Sequence, residues 1–152
     1  MYNIQLSIKI KATPDTVFNV LKSMDEFSQM MHYVKDVKIE TSSKNRIITK
    51  WLLDVEGADV TWKEEDLFDD KNKSVKFSML EGDYGSYFGT WKIKPLSPSS
   101  LLTLDINVDW DIPSFEKVIG PILENKTKRI LRGMMAAIKL KAQKLSREQT
   151  KK

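Results

Sequence analysis

The sequence predicts a single α+β domain: one strand, two short helices, a six-stranded antiparallel meander, and a long C-terminal helix packed on the curved sheet. Three observations carry this. Stretches of strict apolar–polar alternation recur with short turns between them, as antiparallel strands with one wet face do. Trp51, Trp62, Trp91 and Trp110 each fall on the apolar phase of such a stretch. Behind them lies a basic segment whose apolar residues recur every three or four positions, the spacing of a helix with one buried face.

The first strand covers residues 3–12, with Ile4, Leu6, Ile8, Ile10 and Ala12 on one side and Asn3, Gln5, Ser7, Lys9 and Lys11 on the other. Thr13-Pro14-Asp15 then reads as a helix start: N-cap hydroxyl, proline at the first helical position, carboxylate in the first turn. Val17, Phe18 and Leu21 give that helix its apolar face, and a second short helix is expected from Asp25, with Phe27, Met30 and Met31 on one side. In the meander, Val37, Ile39 and Thr41 mark one strand, and Ile47, Thr49, Trp51, Leu53 and Val55 the next. Val60, Trp62, Glu64 and Phe68 form a third, Val75, Phe77 and Met79 a fourth, and Tyr87, Gly89, Trp91 and Ile93 a fifth. Leu102, Leu104, Ile106, Val108 and Trp110 close the series. Ser42–Asn45, Gly57, Asp69–Asn72, Gly82–Gly85 and Pro95–Ser99 supply the breaks.

Pro113-Ser114 is the expected start of the last helix, and Gly120-Pro121 is expected to kink it or to split off a short first piece. Leu123, Thr127, Ile130, Met134 and Ile138 form its stripe, while Gly133, Ala136 and Ala137 keep its middle thin. The reading is one domain over residues 1–145 and a frayed basic tail over 146–152.

Composition narrows the functional classes. A chain of 152 residues with 41% apolar content fits one core. No apolar run is long enough to span a membrane, and the N-terminus alternates too regularly for a signal peptide. The absence of cysteine excludes disulfides and thiolate chemistry and fits a cytoplasmic protein. Residues 1–112 carry 14 basic and 18 acidic side chains, a balance of −4, whereas residues 113–152 carry 11 and 3, a balance of +8. The excess charge therefore belongs to the last helix. It is either a solvated face or a contact surface for RNA, ribosomes or anionic membranes, carried by Lys128, Arg132, Lys139 and Lys144.

A twisted antiparallel sheet of this size curls, and one long helix fills only part of its hollow. The remainder is either solid aromatic core or a ligand pocket. Burial of a tryptophan removes about 150–250 Å² from water, worth about 4–6 kcal/mol gross, so the four indoles could hold the fold with no ligand at all.

The order of elements resembles the START-like helix-grip superfamily (SRPBCC). "IKATPDTVFNVLKSMDEFSQMMHYVKDVKI" is similar to that family's opening. "VTWKEEDLFDD" followed by "FSMLEGDYGSYFGTWKIKPL" resembles the branch of polyketide cyclases/dehydrases and coenzyme-Q-binding proteins. The resemblance covers roughly residues 2–143. It implies a hydrophobic small molecule, such as a lipid, quinone or polyketide, held between sheet and long helix. By that analogy Phe27, Met30 and Met31 lie near the mouth; Trp51, Leu53, Trp62, Phe77, Met79, Tyr87 and Trp91 form the walls; and Ile130, Met134 and Ile138 close the cavity. The Gly82–Gly85 loop would be a gate. For each apolar residue the alternative is ordinary core packing.

Catalytic signals are sparse. His32 is the one histidine, placed beside Tyr33 near the surface, and no metal-ligand spacing or phosphate-binding glycine loop occurs. No cofactor and no metal are expected. Glu64 points inward by alternation from Trp62, and a buried carboxyl there could move a proton. By analogy with the superfamily's cyclases, Glu64 and Tyr87, with Asp66 or Arg46, are the candidates for guiding a reactive polyketone. The default expectation for these carboxylates is exposure to water at a bulge or strand end, because carboxylates without a partner are rarely buried. Three functions follow: a binding module for an apolar molecule, an aromatase/cyclase or dehydrase in the same cavity, or a ribosome- or membrane-associating protein. The first is the one this reading favours. Oligomeric state has no signature in these residues.

Overall fold

The computed structural model describes residues 1–31, 33–55, 57–82, 85–110 and 116–150. His32, the Asp83–Tyr84 part of the expected gate, the Pro113–Ser114 helix start and the last two lysines lie outside the described residues. The chain runs β1 (Tyr2–Ile10), α1 (Pro14–Lys22), a 3₁₀ turn (Met24–Glu26) leading into the single turn α2 (Phe27–Met30), and β2 (Val34–Ser43). It continues through β3 (Arg46–Val55), β4 (Ala58–Asp69), β5 (Ser74–Gly82), β6 (Ser86–Pro95) and β7 (Ser100–Asp109) to α3 (Glu116–Thr150).

All seven strands form one antiparallel sheet in the order β1-β7-β6-β5-β4-β3-β2. The meander is therefore extended by β1, which pairs with β7 over its whole length. The two edges, β1 and β2, are consecutive strands of the chain, and α1 and α2 link them. α1 begins as its sequence requires: the Thr13 side chain accepts from the Thr16 backbone N–H at 3.3 Å, and Pro14 opens the helix. Its apolar face, Val17, Phe18, Val20 and Leu21, is buried.

Alternation predicts the inward face well. In β7 the inward set Leu102, Leu104, Ile106 and Val108 is buried, as are Ile47, Thr49, Trp51 and Leu53 in β3. Edge strand β2 departs from it. Val37 is buried, but Ile39 is 44% exposed, next to a register shift that accommodates Glu40. A second shift has more consequence. Lys63 pairs with Glu81 and Glu64 with Met79, so Leu80 is an extra residue in β5. The bulge keeps both Met79 and Gly82 on the phase of Glu64 and Trp62 and turns Leu80 outward, where it is 51% exposed.

α3 is one continuous helix through Pro121, not split there, and it extends to Thr150. Residues 146–150, expected in a frayed tail, are its last turn and more. The thin middle of the helix has a different use from the one anticipated. Gly133 faces Tyr33, whose hydroxyl donates to the Ile130 carbonyl at 3.0 Å. The room left by the missing side chain is thus taken by the Tyr33 ring, and burial pushes that phenol up to about 12. Towards its C-terminus α3 packs closely on α1 and β1, with Met135, Ile138 and Ala142 buried.

Candidate ligand cavity

Under the Leu123–Met134 stretch α3 stands off the middle of the sheet. Between them lies a cavity of about 560 Å³, within the range of small-molecule sites. Of the residues expected to shape it, Phe27, Trp51, Leu53, Trp62, Phe77, Met79, Tyr87 and Trp91 line it from α2 and the sheet, and Ile130 and Met134 from the helix. Three do not. Ile138 is fully buried one turn beyond Met134, where α3 has already closed onto its neighbours. Met31 is buried beside Tyr33, its sulfur 3.7 Å from that hydroxyl. Met30 is half-buried in a separate shallow hollow with Val20, Glu26 and Leu145. The single turn of α2 gives its inward position to Phe27 and leaves Met30 facing away.

Residues the sequence reading left out complete the walls: Met24, Val60, Leu104, Ile106, Val108, Leu123 and Leu131. Alternation marked the three β7 residues as inward-facing, but nothing in the pattern separates cavity wall from packed core. Ala58, Ser86 and Asp109, all exposed, and the half-buried Trp110, Lys126 and Thr127 stand at the open end. The Trp110 ring, just past the end of β7, rests on Tyr2 with centroids 4.7 Å apart. Tyr2 in turn fills the space over Gly120: a Cβ there would meet its hydroxyl at 1.8 Å.

The interior is an aromatic belt. Phe27 meets Trp51 edge-on at 6.0 Å, and Trp51 stacks on its cross-strand partner Trp62 at 5.7 Å and 7°. Trp62 meets Tyr87 edge-on at 6.2 Å, and Phe77 contacts both Tyr87 at 5.9 Å and Trp91 at 6.4 Å. Gly89 makes room for the Phe77 ring, since a Cβ at that position would lie 2.8 Å from its edge.

Within this belt sits a polar group of side chains. Glu64 is 7% exposed and Asp66 fully buried, so the expectation that these carboxylates reach water is overturned. The irregularity anticipated near them falls on β5, at Leu80, and β4 keeps its alternation through Trp62, Glu64, Asp66 and Phe68. The Tyr87 hydroxyl donates to Glu64. No N–H or hydroxyl donates to either oxygen of Asp66, whose carboxyl faces that of Glu64, and the Trp62 indole N–H has no partner. The Trp51 indole N–H donates to buried Thr49 at 2.8 Å. Arg46, the other polar candidate, points outward and pairs with Glu65 at 2.6 Å.

Burial dominates the electrostatics here. Loss of hydration raises the Glu64 carboxyl, opposed by hydrogen bonding from Asp66 and Tyr87. Asp66 is raised further, first by burial and then by the neighbouring Glu64 charge. Both effects, in the same order, raise Tyr87. Two carboxyls so placed titrate as one unit, and the pair holds a proton well above the ordinary carboxylate range.

The outward cations of α3 form no comparable constellation. Lys128 is paired with Glu124 at 3.3 Å, while Arg132 and Lys144 are exposed and Lys139 half-buried. Among the described residues no group of histidine, aspartate and glutamate has a metal-binding arrangement, and no helix is long and apolar enough to cross a membrane.

The family model described as "Polyketide cyclase / dehydrase and lipid transport" matches residues 10–135. The chain belongs to this family. Its fold is the helix-grip fold of the START (SRPBCC) superfamily, as solved structures bear out. A Thermus thermophilus protein superposes with a TM-score of 0.89 at 21% identity, covering 95% of this chain and 99% of that one. The Zhui aromatase/cyclase from Streptomyces sp. R1128 gives 0.80 at 17% identity, covering 93% of both chains. A START superfamily protein from Mycobacterium smegmatis gives 0.81 at 16%, covering 95% and 99%. No curated protein matches the sequence.

Proposed function

We propose that this family member binds a hydrophobic small molecule, of the size of a lipid, quinone or polyketide, in the cavity between the sheet and α3. The observation that carries the reading is the hollow itself: about 560 Å³ bounded almost wholly by apolar and aromatic side chains under Leu123, Ile130, Leu131 and Met134. An empty space so lined costs dispersion contacts that a filled core would keep, and an apolar guest restores them. Native mass spectrometry of freshly purified protein, with titration of N-phenylnaphthylamine followed by fluorescence, tests the reading. A co-purified small molecule or saturable uptake of the probe is expected. A clean apo mass with no uptake sinks it.

One observation favours a second reading, aromatase/cyclase or dehydrase chemistry in the same cavity. Tyr87 and Glu64 meet at the wall, with Asp66 behind them. A carboxyl that holds its proton in an apolar site can both donate and accept one. Turnover of an aromatic-precursor polyketone that falls steeply in Glu64→Gln and Tyr87→Phe supports it; unchanged turnover in both removes it.

A further inference from the structure

Among the described residues, the cavity wall inside its open end carries acid and aromatic rings with no basic side chain to balance them. Glu64 lines the cavity at 7% exposure, Asp66 lies next on the same face of β4 at 0%, and Asp66 has no hydrogen-bond donor on either oxygen. Asp66 stands opposite Ile47 on one side and Phe77 on the other, so its cross-strand partners offer it nothing polar, and its polar neighbour is the Glu64 carboxyl. Tyr87 supplies Glu64 with one donor, and a carboxylate has room for several. The only basic residue on the described lining is Lys126, at the open end with Asp109, one charge of each sign. Beside the acids, the rings of Trp51, Trp62, Tyr87 and Phe77 present their faces and edges to the same space. A carboxylate inside an aromatic enclosure is the complement of a cation: the rings attract it through their quadrupoles, and desolvation strengthens that attraction.

Resting on the binding function proposed above, we infer that the cavity selects apolar molecules with a cationic, hydrogen-bond-donating head, an alkyl- or arylammonium group. Glu64 receives the head, with Asp66 behind it, and Trp51, Trp62 and Tyr87 enclose it. Fatty acids and other anions are rejected by the same acids. Burial raises both carboxyls, and an ammonium group beside them acts in the opposite direction, favouring their charged forms.

The test compares three probes of one chain length, decylamine, decanol and decanoate, each titrated below its micellar concentration at neutral pH. Native mass spectrometry reports stoichiometry and tryptophan fluorescence reports affinity. Decylamine is expected to bind roughly tenfold or more tighter than decanol, and decanoate weakest. Glu64→Gln and Asp66→Asn should bring decylamine and decanol to within about threefold of one another. Decanol or decanoate binding as tightly as decylamine overturns the head-group selection and leaves the apolar cavity standing. Failure of all three to bind overturns the binding function and this inference with it. If either variant fails to fold, the comparison of the three probes on the unaltered protein decides alone.

Discussion

Tyr33 and Gly133 occupy one another's space: a Cβ on the glycine would come within 3.2 Å of the tyrosine hydroxyl, which donates to the Ile130 carbonyl three residues earlier. The contact pins the middle of α3 to the start of β2 and so sets the height of the helix above the cavity floor. Gly133→Ala should be nearly neutral, because better helix propensity, about 1 kcal/mol, offsets the crowding. Gly133→Val should cost about 1–3 kcal/mol by displacing the ring, and Tyr33→Phe about 1 kcal/mol for the lost hydrogen bond. Urea unfolding of the three variants measures this; a valine variant as stable as the parent would show that the ring is not wedged there.

The buried acids make stability depend on pH with a definite sign. Glu64 and Asp66 are both raised in the folded protein, so the native state holds protons that the unfolded chain releases near pH 4. Their contribution is whole below that point and declines as pH climbs towards the native values, by about 1.4 kcal/mol per pH unit for each proton retained. Asp66→Asn should flatten the decline and unfold at higher urea than the parent at alkaline pH. Denaturation midpoints collected across the pH range test both statements, and a parent whose stability rises steadily with pH contradicts them.

Tyr87→Phe removes the donor that Glu64 has in the empty cavity. The expected loss is about 1–3 kcal/mol, larger at alkaline pH where Glu64 is charged. The same change made at the same pH in a Glu64→Gln background should cost measurably less, because the two residues share one interaction. Additive losses in that double-mutant cycle would show the contact to be energetically idle.

Gly89 admits no side chain. A Cβ there would lie 2.2 Å from the Asp105 carbonyl oxygen, a main-chain atom of β7 that cannot swing aside. Gly89→Val is expected to cost about 3 kcal/mol or more. Gly57 is the contrast: its φ is +89°, yet nothing lies within 4 Å, so Gly57→Ala bears backbone strain alone, about 1 kcal/mol. Relative melting temperatures of the two variants should fall in that order.

Filling the entrance should block uptake without unfolding the protein. Val60 is half-buried on the cavity wall, and Val60→Trp adds an indole to a strand that already favours aromatic residues. Uptake of N-phenylnaphthylamine should weaken about tenfold or more, with the circular dichroism spectrum unchanged. Unaltered affinity would place the probe elsewhere.

The sheet was legible in the sequence because its strands are wet on one face. Trp51, Trp62 and Trp91 could be assigned to one surface by counting in twos, and nine of the lining residues that the resemblance implied lie on faces marked that way or by the stripe on α3. What counting missed depends on events between elements. The extra residue Leu80 looks like part of a regular strand, and its outward turn emerges only when β5 is laid against β4. Gly133 reads as free space until Tyr33 arrives from a hundred residues away. Ile138 and Met134 share one stripe, and only the inclination of α3 onto β1 makes the first core and the second wall. The fate of Asp66 ran against composition statistics altogether, since burying a carboxylate without a donor is unfavourable anywhere that no ligand or proton compensates it.

The pairing of β1 with β7 also governs how this chain reaches its native state. Tyr2 lies opposite Val108 and Ile10 opposite Ser100, whereas each hairpin from β2 to β7 joins neighbours in sequence. The hairpins can zip early and locally, but the opening strand must wait, unladdered, until the final one is made. Closing so large a loop slows folding, and it leaves β1 among the last elements to find its place.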